Sequence, residues 1–589
     1  MPEAFYDKRP CVHITDRDED CRAGWQEIGR ELQARMEGGS RLVVAVECYP
    51  GVLTQEVEHE LCSRLRPDYY LAAEQALLSS QELDALLRPY LTDDPVFGRM
   101  RRWSLAEYFD PKAVATFRET IAAQSKGLIL IVGTGAALLA RDRDLLIYAD
   151  LPRWEIQQRY RKHRIGNLGA ANLDQPASAL YKRAYFADWR AADEFRQSLF
   201  PAVDYLLDTT KPHEPRMVPG ELYRAALATV CRRPFRVVPF FDPGPWGGQW
   251  MRRRFQLPED AVNYAWCFDC VPEENSLLLA FGSRRIEVPA LNLVHQHPEE
   301  LLGAHILARF GAEFPIRFDF LDTVEGGNLS LQVHPLRSFI ADKFGMSYTQ
   351  DESYYLLDAE PEACVYLGLK EGVDPRQMAK DLRAAEAGDA AFPAEKYVNR
   401  WLVRKHSHVS IPAGTIHCSG RGGVVLEISA TPYIFTFKLW DWGRTGLDGY
   451  PRPLHLEYGL ENIQWDRTTE WVRRNLIDPV RVVARGEGWR EEATGLHATE
   501  FLETRRHWFT GPVEHNTEGT LNVLNLVEGE QAMVESPSGA FAPFLVHYAE
   551  TFIVPAAVGR YTIRPAGKVS QPMATIKAYV RSDWKPTDK

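Results

Sequence analysis

The chain has 589 residues and a mass of 67.1 kDa, which at roughly 100–200 residues per domain predicts three or four folded domains. Its content of 45% hydrophobic and 25% charged residues is typical of a folded protein and excludes disordered, collagen-like and disulfide-stapled classes. The net charge is −11 and no block of like charge occurs, so we expect neither a nucleic-acid partner nor an anionic membrane surface.

The cysteines and the first residues indicate a compartment. The nine cysteines are odd in number and scattered, so they do not form the pattern of a disulfide framework. Residues 1–10 lack the basic-then-apolar pattern of a secretion signal, and no apolar run approaches the roughly 20 residues that span a bilayer. These features predict a cytoplasmic protein with no membrane partner.

Residues 1–210 are predicted to form an α/β domain. Short apolar runs rich in Val, Ile and Leu occur at 41–50, 126–135 and 144–152, and helix-like patterns separate them. Strands that alternate with helices in this way are typical of a parallel sheet covered on both faces.

Part of this domain resembles the uridine kinases and nucleoside monophosphate kinases, over about residues 40–210. The segments that carry the resemblance are ILIVGTGAALL (129–139), DLLIYADLPRWEIQQRYRKHRIG (144–166) and ADWRAADEFRQSLFPAVDYLLDT (187–209). The resemblance implies a P-loop kinase-like fold.

The phosphate-binding loop that such a kinase requires is altered. A working loop has the pattern G-x-x-x-x-G-K-[ST], in which backbone N–H groups and a lysine bind phosphates. Residues 47–52 supply Gly51 but no lysine, so we expect a degenerate domain that does not hydrolyse ATP. Basic residues in the segment that resembles the kinase lid are candidates for clasping a phosphate, with a solvated helix face as the alternative: Arg159, Arg161, Lys162 and Arg164.

The composition and the pattern of predicted elements change after residue 210. Residues 211–234 begin with a run rich in proline and polar residues and are expected to be a linker. Short strands with Gly and Pro turns follow at close intervals and predict an all-β region of sandwiches or barrels, which we divide into domains at 235–480 and 481–589. One helical insertion is predicted near 373–388, with Asp374 as its N-cap.

Two stretches of the β region echo each other. HSHVSIPAGTIHC (406–418) and HYAETFIVPAAVGRY (547–561) both run from a polar segment into an apolar strand and then a Pro-Ala turn. Arg560 takes the place of His417 in the second copy. We infer two related barrels, the first able to hold a metal and the second without metal ligands; chance similarity of a strand–turn motif is the alternative.

The first barrel contains a set of candidate metal ligands. Gln332 and His334 are two residues apart in a strand, so both side chains point to one face. Glu352 lies downstream, and His417 follows a Pro-Ala-Gly turn that would fix the direction of its imidazole. Two imidazoles, a carboxylate and an amide oxygen suit zinc or a similar divalent ion with one position open to water or substrate.

Segments around these residues resemble the class I mannose-6-phosphate isomerases, which are zinc-dependent members of the cupin superfamily. The resemblance covers about residues 235–589 and rests on PGPWGGQWM (243–251), FPIRFDFLDT (314–323), LSLQVHP (329–335), DESYYLLDA (351–359), IPAGTIHCSG (411–420), VVLEIS (424–429) and FTFKLWDWGRT with PRPLHLE (435–457). It implies a tandem cupin (jelly-roll) fold, a metal held by the four residues named above, and interconversion of mannose 6-phosphate and fructose 6-phosphate.

The chemistry of such a reaction defines further candidates. Moving a carbonyl between C1 and C2 of a sugar removes a proton beside the carbonyl and leaves negative charge on an enediolate oxygen, which a divalent ion stabilises. A base must shuttle the proton. Glu427 is a candidate for that base or, as the alternative, for orienting a ligand.

Three positions depart from the pattern of the resembling family. Gln350 stands where a basic residue usually precedes the ligand glutamate, Lys438 replaces an arginine thought to assist catalysis, and Asp319 stands where lysine is frequent. Lys438 keeps a positive charge without the planar fork of arginine and remains a catalytic candidate. Arg337 and Arg444 are candidates for holding the phosphate of a hexose phosphate, with an ordinary structural role as the alternative.

The departures leave a second hypothesis open. Besides a metal-dependent aldose–ketose isomerase, the chain fits a catalytically weakened cupin that senses a sugar phosphate and uses the α/β domain as a regulatory module. A kinase acting through the amino-terminal domain is disfavoured by the absence of the loop lysine. The sequence does not define the oligomeric state.

Overall fold

The structure is a computed structural model that describes residues 5–36, 40–430, 434–495 and 500–582. It divides into two compact units. The α/β unit contains Pro10–Val230 and Pro272–His297, and the β unit contains Met1–Arg9, Cys231–Val271 and Pro298–Lys589. Within the described ranges no helix combines the length and the apolar character that crossing a bilayer requires.

The α/β unit is built on a seven-stranded sheet, and its predicted parallel core is confirmed. The strands, in their order across the sheet, are Arg22–Ala23, Arg216–Pro219, Tyr205–Asp208, Leu145–Asp150, Arg41–Cys48, Gly127–Gly133 and Tyr69–Ala72. The last five run parallel, and their apolar residues are buried because helices cover the sheet. The first parallel strand, Arg41–Cys48, lies in the middle of these five, so the loop that follows it stands where the strand order reverses.

Ten α-helices belong to the described part of the α/β unit. They are Gly24–Met36, Thr54–Leu65, Ser80–Leu91, Pro111–Ala123, Ala136–Leu139, Arg153–Arg161, Ala177–Arg183, Trp189–Leu199, Gly220–Val230 and Leu291–Gln296. The expected linker at 211–234 differs from the structure, because a strand and the helix Gly220–Val230 occupy most of it. Proline and polar residues are confined to its start, whereas Tyr223, Leu227 and Val230 bury the inner face of that helix.

The unit also includes a hairpin that the sequence places in the β region. Ser276–Phe281 pairs antiparallel with Arg284–Pro289 and parallel with Cys11–Thr15, which makes a three-stranded sheet. Asn292, just after the hairpin, donates a 2.8 Å hydrogen bond to the buried Asp150 carboxylate. The expected boundaries at 210 and 235 therefore do not coincide with the compact units, because residues 272–297 complete the α/β unit.

The β unit contains two pairs of facing antiparallel sheets, which agrees with the predicted jelly-roll-like architecture. The sheets of the first barrel are His408–Ile411, Glu352–Ala359, Gly423–Ala430, Ile316–Asp322, Trp266–Cys270 and Phe240–Asp242, and Val398–Leu402, Cys364–Leu369, His417–Ser419, Leu331–Val333 and Phe437–Trp440. Side chains alternate along each strand, so every second residue points into the space between the two sheets.

The second barrel has the same plan. Its sheets are Arg481–Gly486, Trp489–Thr494, Leu502–Phe509, Met573–Val580, Asn522–Glu528 and Thr551–Val554, and Val513–Asn516, Arg560–Pro565, Gln531–Glu535 and Phe544–His547. Phe509, Leu526, Phe552, Ile563 and Met573 belong to its apolar core.

Short helices connect the strands of the β unit. They are Trp250–Arg254, Pro298–Leu302, Ala304–Phe310, Arg337–Phe344, Pro375–Glu386, Ala394–Tyr397, Leu456–Asn462 and Thr469–Asn475. The helix Pro375–Glu386 lies within the stretch expected to be a helical insertion, and the Asp374 carboxylate caps it by accepting a 2.9 Å hydrogen bond from the Arg376 N–H.

Candidate metal centre

Three side chains at the ends of separate strands converge in the interior of the first barrel: His334 directly follows Leu331–Val333, and Glu352 and His417 begin their strands. Glu352 Oε2 lies 3.1 Å from His334 Nε2, and Glu352 Oε1 lies 2.8 Å from His417 Nε2. All three side chains are buried, and their ligand-type atoms lie within 4.8 Å of one another. The cluster is therefore a candidate metal site built from two imidazoles and a carboxylate.

Strand pairing brings the fourth candidate ligand to the same place. Gln332 is directly opposite His417 in the neighbouring antiparallel strand, and the Gln332 amide nitrogen is 3.3 Å from His417 Nε2. His334 lies two residues beyond Gln332, on the same face, as the period of a strand requires. The structure thus brings together all four residues that the sequence singles out as ligands.

The Pro-Ala-Gly turn before His417 orients its imidazole. Gly414 has φ +83° and its N–H donates to the His334 carbonyl at 3.0 Å, which ties the turn to the strand end that carries the other imidazole. His417 Nδ1 lies 2.8 Å from the Thr415 carbonyl oxygen. A hydrogen bond from Nδ1–H to that carbonyl leaves the lone pair on Nε2, the nitrogen that faces Glu352.

The polar atoms of the cluster are not satisfied by one another. Among the described residues, His334 Nε2 and Glu352 Oε1 are buried without a hydrogen-bond partner, although each lies close to another member of the cluster. Burial raises the pKa of Glu352, but the two imidazoles outweigh it and hold that pKa well below its usual range. An ionised carboxylate beside converging nitrogen atoms fits a divalent cation.

Further acidic groups extend from the cluster along the sheet. The Gln350 amide donates to Glu352 Oε2 at 2.9 Å and to Glu427 Oε1 at 3.2 Å, so it links the candidate ligand to the candidate base. Glu427 is opposite Asp319 in the neighbouring strand. Burial, together with the charges of Asp319 and Glu352, raises the pKa of Glu427 well above its usual range.

Arg317 balances part of this negative charge, and the sequence analysis did not identify it. Its guanidinium is 3.1 Å from Asp319 Oδ1 and 3.9 Å from Glu427 Oε1. Burial raises the pKa of Asp319 to about 6, against the opposing effect of Arg317. The two-residue spacing between Arg317 and Asp319 in one strand was the available signal, because it places both side chains on one face.

The three cationic side chains predicted to act on the substrate lie in different environments. Lys438 is half-buried in the strand that pairs with Gln332, and burial and the charge of Arg452 lower its pKa to about 8. Arg444 is held at 3.0 Å by Asp441 and also donates to the Asn328 carbonyl. Arg337 is exposed at the first position of the helix Arg337–Phe344.

The chain has two kinds of similarity to known proteins. Residues 24–232 match a family described as a domain of unknown function (DUF8485). The putative mannose-6-phosphate isomerase YvyI of Bacillus subtilis (strain 168) is 25% identical over 228 residues, which are 38% of this chain and 66% of that protein. The mannose-6-phosphate isomerase of Streptococcus mutans serotype c is 26% identical over 220 residues, which are 37% of this chain and 63% of that protein.

The chain therefore spans just under two thirds of the length of these curated relatives. Among solved structures, the mannose 6-phosphate isomerase from Bacillus subtilis aligns with 59% of this chain and 99% of its own, with a TM-score of 0.48 and 17% identity. The relatives are mannose-6-phosphate isomerases, so part of this chain is similar to sugar-phosphate isomerases.

Proposed function

We propose that the first barrel is a metal-dependent aldose–ketose isomerase that interconverts mannose 6-phosphate and fructose 6-phosphate. The observation that carries the proposal is the buried convergence of His334, Glu352 and His417 within 4.8 Å, in a chain similar to sugar-phosphate isomerases. Gln332 is the fourth proposed ligand. Nitrogen and oxygen donors of this kind suit zinc or a similar divalent ion.

The bound ion would act as a Lewis acid and stabilise negative charge that develops on the oxygens of the enediolate. The chain itself holds the ligands in place. His417 is oriented by the Thr415 carbonyl, and Glu352 is fixed by the Gln350 amide. Burial of the cluster keeps bulk water from competing for the same donors.

Glu427 is the proposed proton carrier. A base in this reaction takes a proton from one of the two carbons C1 and C2 and returns it to the other. Burial and the charges of Asp319 and Glu352 raise the pKa of Glu427, which favours its protonated form, and a cation held by Glu352 would offset part of that repulsion. The Gln350 amide, by its hydrogen bond to Glu427, would hold that carboxyl close to the proposed ligand Glu352.

Lys438 and Arg337 are the proposed cations for the substrate. The lowered pKa of Lys438, about 8, leaves most of the amine charged at neutral pH, and its ammonium would polarise a sugar oxygen. Arg337, exposed at the start of its helix, is proposed for the phosphate, and Arg444, which donates to Asp441 and to a carbonyl, is the second candidate.

We propose the domain plan predicted from sequence with one change. The barrels span about 235–480 and 481–589, with residues 272–297 assigned to the α/β unit. The α/β unit is proposed as a degenerate kinase-like fold without ATP hydrolysis. Its central first strand supports the kinase-like topology, and the Tyr49 and Val52 N–H groups in the following loop donate to backbone carbonyls rather than standing open for phosphate.

A sugar-phosphate sensor is the second candidate function. The observation in its favour is the pairing of Arg317 with Asp319 beside Glu427, which engages a guanidinium that lies 3.9 Å from the proposed base. The experiment is to load the full chain with zinc, add mannose 6-phosphate and follow fructose 6-phosphate. Turnover supports the isomerase; tight binding of a hexose phosphate without turnover supports the sensor.

A further inference from the structure

The side chains inside the second barrel change from apolar to polar along the strands. In the adjacent strands Leu502–Phe509 and Met573–Val580, the opposed pair Phe509 and Met573 belongs to the apolar core. Two residues further along each strand, on the same face, His507 is opposite Thr575. The next pair on this face contains Lys577. One end of the barrel is therefore apolar, and the other is polar.

The polar end opens into a cavity of about 560 Å³. Lys577, His507, His515, Asn522 and Tyr561 are among the side chains that line it, and all of them lie within the β unit. This volume falls in the range of about 300–1,000 Å³ that is usual for small-molecule sites. The exposed residues Glu518 and Arg560 lie at its rim.

Donors in the cavity are left without partners. Lys577 is only 9% exposed, and its ammonium lies 5.4 Å from the centre of the Tyr579 ring. Within the described ranges this ammonium has neither a hydrogen bond nor an ion pair. His507 Nδ1 and His515 Nε2 are likewise buried without a hydrogen-bond partner in the described part of the chain. Leaving a buried ammonium unpaired is costly, which indicates that a complementary group belongs there.

The surrounding side chains form a rigid frame. The His507 and His515 rings are 4.5 Å apart, and His515 stacks on Tyr561 with an interplanar angle of 13°. The Tyr561 hydroxyl donates to Asn522 Oδ1 at 3.0 Å. Such a frame holds the unpartnered donors in fixed positions before any ligand arrives.

We propose that this cavity binds a small hydroxylated oxyanion, a phosphate monoester or a carboxylate, through Lys577, His507 and His515. The ammonium and imidazole donors suit a charged oxygen group, and Asn522 and Thr520 at the same cavity suit hydroxyls. This site is distinct from the cluster in the first barrel and does not depend on the function proposed for it.

A cation is a poor alternative occupant. His507 Nε2 is 3.4 Å from Glu491, and Glu514 and Glu518 also line the cavity. Glu514 and Glu518 are exposed and Glu491 is partly exposed, whereas Lys577 is buried in the same cavity and would repel a divalent ion. Among the described residues, the only group of three or more His, Cys, Asp or Glu side chains with ligand atoms within 4.8 Å is the one in the first barrel.

Calorimetric titration of the full chain tests the proposal. The probes are inorganic phosphate, fructose 6-phosphate and gluconate, with fructose as the uncharged reference. We expect at least one anion to bind and its affinity to fall at least tenfold in Lys577→Met, because a charge-assisted hydrogen bond is lost. The matched control Lys568→Met removes an exposed lysine of the same barrel and should bind as the native chain does.

Two further variants separate this site from the first barrel and from misfolding. His417→Ala breaks the cluster of the first barrel and should leave the Lys577-dependent binding unchanged. If Lys577→Met does not fold, Lys577→Arg should retain binding, and His515→Gln should weaken it. The proposal is overturned if no anion binds the native chain, if Lys577→Met binds as tightly as the native chain, or if zinc binds at His507 and His515 instead.

Discussion

The two barrels of the β unit share a strand plan but differ in the charge of their buried side chains. In the first barrel, the interior around Glu352 contains two more buried carboxylates, Asp319 and Glu427, with Arg317 as their neighbouring cation. In the second, the polar end of the interior contains the unpaired ammonium of Lys577 beside two imidazoles.

The difference shows how one architecture is adapted to different ligands. Imidazoles occur in both interiors and are compatible with either sign of ligand, because a ring nitrogen can either donate or accept a hydrogen bond. The charged neighbours therefore decide the choice: carboxylates favour a cation, and an ammonium favours an oxyanion. Changing the charged side chains and the imidazoles of each barrel therefore tests this comparison.

Breaking the imidazole pair of the first barrel should have the largest effect. In His417→Ala, we expect zinc to be lost and mannose 6-phosphate turnover to fall about a hundredfold or more, because Lewis-acid stabilisation is worth several kcal/mol. Metal content by mass spectrometry and a coupled assay for fructose 6-phosphate measure the two effects.

The second barrel supplies the matched control for that variant. His515→Ala removes an equally buried imidazole and should leave the zinc content and the turnover at native values. Unchanged zinc content in His417→Ala would contradict the ligand assignment. Loss of zinc in both variants with loss of folded structure would indicate that the fold is affected, and loss of zinc from a folded His515→Ala would indicate that zinc also binds in the second barrel.

The sequence predicted that the four proposed ligands of the first barrel lie together, because strand periodicity and the turn before His417 are local signals. It did not predict the polar cavity of the second barrel. The echo between the two copies directed attention to Arg560, which lies exposed at the rim, whereas the interior lysine stands in a strand whose pairing partners are more than 50 residues away.

The sequence placed residues 272–297 in the β region, whereas they belong to the α/β unit, and the reason is related. The run NSLLLAFG has the apolar character of a strand, and a strand forms there as Ser276–Phe281. Its partner is Cys11–Thr15, about 265 residues earlier in the chain, and no local pattern specifies that pairing. Periodicity identifies strands, but tertiary packing decides which sheet they join.

Glu427→Gln separates the proton carrier from a purely orienting role. The amide preserves the size and one oxygen acceptor for Gln350 but cannot carry a proton, so we expect turnover to fall about 10²–10⁴-fold with native zinc content. If Glu427 only orients Glu352, the loss should be under tenfold and should appear with reduced zinc affinity. Stopped assays at saturating substrate, with metal analysis of the same samples, distinguish the two outcomes.

The charge of Lys438 should impose a pH dependence on the first barrel. Because its pKa is lowered to about 8, the ammonium is lost as the pH rises through that value. We expect the proposed isomerase activity to fall about tenfold from pH 7 to pH 9, with Lys438→Arg showing a flatter profile since arginine stays charged. A native profile that is flat over this range would remove Lys438 from the mechanism.

Lys577→Met should produce the smallest change, and its sign is informative. Burial lowers the pKa of Lys577, so the charged form is disfavoured in the folded chain and costs stability below that pKa. We expect the variant to raise the free energy of unfolding of the ligand-free chain at pH 7 by about 1 kcal/mol. The gain should shrink as the pH rises towards the ordinary lysine range, because the native chain then becomes more stable while the variant does not. Urea unfolding of the full chain at pH 7 and pH 9, with Lys568→Met as the control, measures the change. A lysine retained at a cost to stability is consistent with a binding role; a destabilised variant would instead indicate that Lys577 supports the barrel itself.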